Sequence, residues 1–144
     1  MTRVSNFMQE RSRHVLVPGG AGYIGSHTCV ELLQRGYTPV IADNFVNSSL
    51  AAVDRICQIT GTNDLPVIEA DIRDTDAMTR AMQDHNCVAV VHFAGLKAVG
   101  ESTAEPLDYY SNNVQGTLSL LEAMKKAAVN HIVFSSSATV YGTP

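Results

Sequence analysis

Four closely spaced glycines near the start of the chain are the residues best suited to bind a phosphate group. Gly20, Gly22 and Gly25 fit the pattern G-x-G-x-x-G, and Gly19 begins the related pattern G-x-x-G-x-x-G. An apolar run, 15–17, precedes them, and apolar residues at helical spacing follow. Without Cβ atoms the backbone can turn tightly and approach a pyrophosphate, which the free N–H groups of the following helix then bind. A glycine-rich turn alone can be structural, but strand, turn and helix together predict a dinucleotide site.

A carboxylate ends the next apolar run, at the distance expected for a ribose contact. The run Thr38–Asp43 ends 18 residues after Gly25, and an acid about 20 residues past the glycines typically binds the adenosine ribose. Such a carboxylate would repel a 2′-phosphate, and no Arg or Lys lies between Gly36 and Ala52 to offset that. A strand-end acid can also be purely structural. The favoured interpretation is that Asp43 selects NAD over NADP.

Composition narrows the class of protein. The 144 residues carry 10 Lys and Arg against 14 Asp and Glu, so no basic patch indicates nucleic-acid binding. Three cysteines in apolar segments predict reduced, buried thiols and a cytoplasmic protein rather than a disulfide framework. The histidines lack metal-ligand spacing, and no apolar run is long enough to predict a membrane span. We expect residues 1–13 to form a loose N-terminal tail and residues 14–144 to form one domain.

Apolar runs alternate with helical patterns along the rest of the chain. We predict strands at 15–17, 38–43, 67–70, 87–93 and 131–134, and helices after the glycine turn, over 50–59, from a cap at Asp74, and over 106–128. This alternation predicts right-handed βαβ crossovers and a parallel sheet. The expected fold is a Rossmann-type, doubly wound α/β sheet of five strands in the order 3-2-1-4-5. The cofactor would cross the sheet edge between the first and fourth strands.

Four sequence blocks resemble those of a known family. They are G-G-A-G-Y-I-G-S-H-T at 19–28, H-F-A-G-L-K-A-V-G-E-S at 92–102, P-L-D-Y-Y-S-N-N-V-Q-G-T at 106–117 and F-S-S-S-A-T-V-Y-G at 134–142. The chain resembles the extended short-chain dehydrogenase/reductases and, among them, the UDP-glucose 4-epimerase family. The first block is shared across the wider superfamily, whereas the second and third are close to an epimerase fingerprint, and related nucleotide-sugar dehydratases and decarboxylases usually differ there. One departure is Pro18, where the family generally has Thr.

The resemblance implies where NAD would bind. It assigns Asp43 and the residues after it to the adenosine end, Asp71 and Ile72 to the adenine, and Asn112 to the nicotinamide side. The full set of implied cofactor residues is Gly19, Gly20, Gly22, Tyr23, Ile24, Gly25, Asp43, Asn44, Phe45, Val46, Asn47, Ser48, Asp71, Ile72, Phe93, Ala94, Gly95, Lys97, Asn112 and Ser137. It contains no metal ligand. Tyr109 and Tyr110 are expected to be packing residues.

The resemblance also implies one catalytic residue, Ser137. It matches the family's active-site hydroxyl, which bonds the sugar 4′-oxygen while UDP-galactose and UDP-glucose interconvert through a 4-keto intermediate. The family's tyrosine base has a lysine four residues after it, and the 144 residues contain no Tyr-x-x-x-Lys.

The functional prediction takes account of the absence of a Tyr-x-x-x-Lys pair from these 144 residues. We expect the chain to be the N-terminal NAD-binding part of such an epimerase, with its sheet ending before the remaining strands, and to be inactive by itself. The complete enzyme would bind a UDP-sugar and form a homodimer. Two alternatives stay open: another nucleotide-sugar enzyme of the superfamily, such as a dehydratase or decarboxylase, and a non-catalytic NAD-binding remnant.

Overall fold

The computed structural model describes residues 13–137, 140 and 142. Strands and helices alternate in the order β1 (His14–Pro18), α1 (Tyr23–Gln34), β2 (Thr38–Asp43), α2 (Leu50–Thr60), β3 (Val67–Glu69), α3 (Thr75–Asp84), β4 (Ala89–His92), α4 (Val99–Ala104), α5 (Pro106–Tyr109), a π-helical segment (Tyr110–Gln115), α6 (Gly116–Ala127) and β5 (Ile132–Phe134). Residues 1–12 of the predicted tail lie outside the described residues. Ala138, Thr139 and Tyr141 of the fourth sequence block do as well.

The five strands form one parallel sheet in the order β3-β2-β1-β4-β5. This confirms the predicted fold class and strand order. Because side chains alternate across a strand, the central strands bury residues on both faces. Leu16 packs with α3 and α6 on one face, whereas Val15 and Val17 pack with α1 and α2 on the other.

Local sequence explains most helix boundaries, with one exception. The Asp74 side chain accepts a hydrogen bond from the backbone N–H of Ala77, which makes it the predicted N-cap of α3. Gly61 ends α2 in the left-handed conformation, with φ 72°. The polar turn before α2 makes Asn47 or Ser48 the expected N-cap, but Ser49 occupies the cap position. Ser48 instead donates its hydroxyl proton to Asp43.

The segment between β4 and β5 is more complex than its sequence pattern predicts. The glycine-bounded segment A-G-L-K-A-V-G at 94–100 predicts a loop, but Val99 and Gly100 are helical because α4 begins at Val99. The expected single helix over 106–128 is α5 and α6 joined through six π-helical residues. A π-turn adds a residue within one helical turn, and the 3.6-residue pattern gives no signal for it.

The outer edge of the sheet is apolar and exposed. All three residues of β5 are exposed, and so are Val114, Leu118 and Leu121 on the neighbouring helix. Met124, which shares their helical spacing, is only 5% exposed and belongs to the core. No helix in the described part of the chain is both long and apolar enough to cross a membrane.

Candidate functional site

A cavity of about 480 Å³ opens at the carboxyl ends of β1, β2 and β4. This volume lies within the range of small-molecule and cofactor pockets, and the edge is the one where ligands bind in open parallel sheets. Its walls come from the glycine turn, the segment after β2, the segment after β3, the loop after β4 and the π-helical segment. The lining residues are Pro18, Gly19, Gly22, Tyr23, Ala42, Asp43, Asn44, Val46, Asn47, Ala70, Ile72, Arg73, Met78, Phe93, Ala94, Gly95, Leu96, Lys97, Asp108 and Asn112.

The glycine turn brings the start of α1 against the end of β1. A Cβ atom on Gly25 would lie 2.2 Å from the carbonyl oxygen of Gly19, so only glycine allows the helix to pack this closely. Gly19 itself has φ 76°, a conformation that side chains disfavour. The turn therefore directs the N-terminal end of α1, with its unpaired N–H groups, at the cavity.

Asp43 joins the glycine turn to the segment after β2. Its Oδ2 accepts from the backbone N–H of Ala21 at 3.1 Å, and its Oδ1 accepts from the N–H of Phe45 and the hydroxyl of Ser48. The residue is 7% exposed and still borders the cavity. A carboxylate has about four acceptor positions, so three internal bonds leave room for about one hydroxyl of a ligand.

The segment after β2 is held in an uncommon backbone conformation. Phe45 has φ 55°, which costs roughly 1–3 kcal/mol for a residue other than glycine. Its N–H bond to Asp43 stabilises this conformation, and its side chain packs on the core beside α2. Val46 and Asn47 line the cavity, whereas Phe45 does not line it and instead anchors the segment to the core.

An ion pair fixes the segment after β3. Arg73 donates to both oxygens of Asp71 and also to the hydroxyl of Ser111, at 3.0 Å, in the π-helical segment. The Arg73 hydrogen bonds lower the pKa of Asp71 to about 2, despite partial burial of the carboxyl. Asp71 therefore stays ionised and Arg73 stays paired, which reduces the free positive charge that this part of the cavity offers to a phosphate.

The start of α6 lies directly against this segment. A Cβ atom on Gly116 would lie 2.6 Å from Cγ2 of Ile72. The close approach places Asn112, one helical turn earlier, in the cavity wall. The Asn112 amide donates to Oδ1 of Asn113 at 2.9 Å, which fixes its orientation.

A buried histidine, His92, ends β4 directly before the loop that lines the cavity. His92 is 2% exposed, and its Nε2 lies 3.2 Å from the hydroxyl of Thr117. Because Thr117 gives its proton to the carbonyl of Asn113 at 2.6 Å, we assign the proton of the ring to Nε2. Nδ1 is then an acceptor with no partner among the described residues. Burial lowers the pKa of His92 to about 4, so the ring is neutral at pH 7.

The structure brings most of the predicted cofactor residues together. Thirteen of them line the cavity: Gly19, Gly22, Tyr23, Asp43, Asn44, Val46, Asn47, Ile72, Phe93, Ala94, Gly95, Lys97 and Asn112. Seven do not: Gly20, Ile24, Gly25, Phe45, Ser48, Asp71 and Ser137. Gly25, Phe45, Ser48 and Asp71 instead support residues that do.

Several lining or supporting residues carried no signal in the sequence analysis. Arg73 and Asp108 line the cavity, but single charged residues next to a turn or at a helix start give no pattern. Tyr109, expected to be a packing residue, uses its hydroxyl to bind the backbone of Ala98. Asn113 was not singled out from the sequence, although its neighbour Asn112 was. Two adjacent asparagines are unfavourable within a helix, and this pattern could have indicated that both side chains have polar partners.

Ser137 follows β5, at the same end of the sheet as the cavity. It is exposed and does not line the cavity. Ser135 continues the register of the sheet, donating its N–H to the carbonyl of His92. Among the described residues no group of three or more His, Cys, Asp or Glu side chains could hold a metal ion, and all three cysteines are free.

Comparison with known proteins gives a consistent result. The model of the NAD dependent epimerase/dehydratase family matches residues 15–144. A UDP-glucose 4-epimerase of Bacillus subtilis is 59% identical over 130 residues, which cover 90% of this chain and 38% of that protein. One of Klebsiella pneumoniae is 57% identical over 131 residues and is covered over 91% of its length.

Solved structures agree in fold. The UDP-glucose 4-epimerase of Stenotrophomonas maltophila, with bound NAD and formylated UDP-arabinopyranose, superposes with a TM-score of 0.88 at 54% identity, covering 92% of this chain and 39% of that one. The enzyme of Bifidobacterium longum, in complex with NAD+ and UDP, gives a TM-score of 0.85 at 53% identity, over 91% and 39% of the two chains. The chain thus spans well under half the length of most of these relatives.

Proposed function

Because this chain belongs to the NAD dependent epimerase/dehydratase family, we propose that it is the NAD-binding part of a UDP-glucose 4-epimerase, with NAD bound in the cavity after β1, β2 and β4. The observation that carries this proposal is the joining of the glycine turn to Asp43 through Ala21 at the cavity edge. That bond sets a pyrophosphate site and a hydroxyl acceptor side by side, as an adenosine diphosphate requires.

The charges on the Asp43 side of the cavity favour NAD over NADP. Asp43 borders the ribose position, and the one nearby cation of the segment after β3, Arg73, is already paired with Asp71. A 2′-phosphate there would face an ionised carboxylate without a free guanidinium to offset it. We therefore assign NAD binding to the glycine turn, Asp43 to Ser48, Asp71, Ile72, the loop after β4 and Asn112.

Binding measurements test the cofactor assignment. By calorimetry, NAD should bind and NADP should bind at least about tenfold more weakly. Asp43→Asn keeps the size of the side chain but removes its charge, and should cost NAD binding roughly 1.5–3 kcal/mol while narrowing the difference between NAD and NADP. The control is Asp54→Asn, an exposed residue of α2. Equal affinity of the unmodified chain for both dinucleotides would refute the role of Asp43.

The proposed reaction is the interconversion of UDP-galactose and UDP-glucose. Bound NAD supplies a hydride acceptor and donor for C4 of the sugar. Ser137 would donate a hydrogen bond to the 4′-oxygen. Since the 144 residues contain no Tyr-x-x-x-Lys to remove and return the hydroxyl proton, they should show no turnover alone. General acid–base groups contribute about 10²–10⁴-fold.

Activity is tested on the natural gene product, by coupling UDP-galactose conversion to the oxidation of UDP-glucose. Turnover should be detected, and Ser137→Ala should lower kcat about 10²-fold with bound NAD unchanged. A gene product that binds NAD but does not convert either UDP-sugar would favour the second candidate, a non-catalytic NAD-binding protein. The proposal also includes homodimerisation and a cytoplasmic location, the latter because three free thiols favour a reducing compartment.

A further inference from the structure

The loop after β4, residues 94–98 and hereafter the wall loop, forms one side of the cavity without belonging to a strand or a helix. Its middle is held by one side chain. The Leu96 N–H donates to Oδ1 of Asn113 at 2.8 Å, and Nδ2 of Asn113 donates to the Leu96 carbonyl, also at 2.8 Å. The amide thus pairs with both polar backbone groups of Leu96 as a neighbouring strand would.

A second side chain holds the end of the wall loop. The Ala98 N–H donates to the hydroxyl oxygen of Tyr109 at 3.0 Å. The single Tyr109 proton can go to Oε2 of Glu101, at 2.8 Å, or to the Ala98 carbonyl, at 3.0 Å. Desolvation and the hydrogen bond to Glu101 raise the pKa of Tyr109, so the phenol keeps this proton at neutral pH.

Both holding residues belong to the helix that also contributes Asn112 to the cavity. Tyr109 ends α5, and Asn113 lies four residues later within the π-helical segment. The backbone of Asn113 is itself supported, since its carbonyl accepts from Thr117, which in turn contacts His92 on β4. The wall loop is therefore connected to the sheet at its start and to the helix at two further points.

We propose that Asn113 and Tyr109 are positioning residues that hold the wall loop in the conformation that contacts bound dinucleotide. This inference rests on the proposed NAD site. Asp43 and the wall loop lie after β2 and β4, on opposite sides of β1, and a dinucleotide crosses this edge with one nucleotide on each side. Asn113 and Tyr109 act on the side away from Asp43, without lining the cavity themselves.

Limited proteolysis tests the positioning of the wall loop without any ligand. Lys97 is the tryptic site inside the wall loop. Native-state cleavage after Lys97, identified by mass spectrometry, should be about 5–10-fold faster in Asn113→Ala and Tyr109→Phe, because each loses one or two hydrogen bonds to the wall loop. The matched controls are Gln115→Ala in the π-helical segment and Tyr110→Phe, and both should be cleaved at the original rate.

Differential binding tests the functional consequence. Asn113→Ala and Tyr109→Phe should weaken NAD binding about 5–10-fold, while AMP, which occupies only the Asp43 side, should bind as it does to the unmodified chain. A general loss of folding would weaken both ligands, so the ratio of NAD to AMP affinity separates positioning from stability. Tyr109→Phe changes a single oxygen, so it keeps the test available if Asn113→Ala does not fold.

Two results would overturn the inference. One is unchanged cleavage after Lys97 in both variants, and the other is faster cleavage with an unchanged ratio of NAD to AMP affinity. Failure of the unmodified chain to bind either ligand would refute the proposed NAD site, and with it the positioning role. If neither ligand binds, faster cleavage after Lys97 in the two variants would still establish that Asn113 and Tyr109 anchor the wall loop.

Discussion

The two walls of the cavity are built on different principles. On the β2 side, the Asp43 carboxylate accepts hydrogen bonds from the N–H of Ala21 and from two residues of the segment after β2, Phe45 and Ser48. A single buried carboxylate therefore fixes this wall. On the β4 side, the wall loop has no such internal acid and depends on side chains 11 and 17 residues further along the chain. The β2 wall packs against the core of the sheet, whereas the wall loop is held by side chains of the helical segment that follows it.

This difference implies that the walls should respond differently to change. The β2 wall shares its contacts with β1, α1 and α2, so damage there should unfold the domain. The β4 wall is attached by a few neutral hydrogen bonds, each worth about 0.5–1.5 kcal/mol, and should loosen while the sheet stays folded. Segments of low local stability commonly contact ligands for this reason.

The most damaging single change should be Gly25→Ala, in the glycine turn. The new Cβ atom would lie 2.2 Å from a backbone oxygen, which cannot move without displacing β1 from α1. We expect the free energy of unfolding to fall by about 3 kcal/mol, the upper end of overpacking effects, and NAD binding to fall with it. Urea unfolding gives the value.

Gly100→Ala is the matched control for that change. Apart from its chain neighbours and its own helix backbone, no atom of the described residues lies within 4 Å of the corresponding Cβ position, and alanine favours the helix in which Gly100 lies. Its stability should be unchanged or slightly higher. If the two alanine variants were equally stable, the close packing of the glycine turn would not be the source of the β2 wall's rigidity.

Acid should weaken the support beneath the β4 wall. The pKa of His92 is about 4 in the folded chain and about 6.5 when unfolded, so the unfolded state takes up a proton first. The contribution of His92 to stability is therefore constant above pH 6.5 and is lost as the pH decreases from 6.5 to 4, by at most about 3 kcal/mol. Urea unfolding at several pH values measures this slope.

His92→Gln should reduce the slope, and His131→Gln, at an exposed position, should not. If His92→Gln does not fold, titration of the ring by NMR in the unmodified chain gives the pKa directly. A value near 6.5 would contradict the burial argument.

A smaller effect is expected beyond the β4 wall, at the apolar edge formed by β5 and α6. Leu118 and Val133 are 62% and 63% exposed, and an uncovered edge strand readily pairs with another chain. We expect the 144 residues to self-associate, and the double variant Leu118→Lys, Val133→Lys to weaken association about tenfold or more, since each apolar side chain contributes up to roughly 1.5–3 kcal/mol. Light scattering across a concentration series measures this.

Ile59→Lys is the corresponding control. Ile59 is 67% exposed on α2. This helix follows β2, which β1 and β4 separate from β5 in the sheet. The substitution adds the same charge to an apolar surface of similar exposure, so any general effect of charge on solubility should appear in it too. A monodisperse monomer of the unmodified chain with a cooperative melt above about 55 °C would show that the exposed edge causes no association.

Sequence alone predicted the features that depend on local chemistry or on a simple period. The alternation of apolar runs predicted the parallel sheet and its order, because buried strands and crossover helices leave few permitted topologies. The spacing of Gly19 to Gly25 predicted a turn that only glycine can form, and the cap at Asp74 follows from one side chain and a nearby N–H. Asp43 was singled out by its distance from the glycines.

Tertiary structure decided which atoms those residues use and what holds them. Three of the acceptor positions of Asp43 are occupied by Ala21, Phe45 and Ser48, and no sequence period reports such a bond. Ser48 contacts the carboxylate rather than capping α2. Asn113 and Tyr109 hydrogen-bond to wall-loop residues that lie 17 and 11 positions earlier in the chain. Propensity describes neighbours along the chain, and these contacts join residues that only folding brings together.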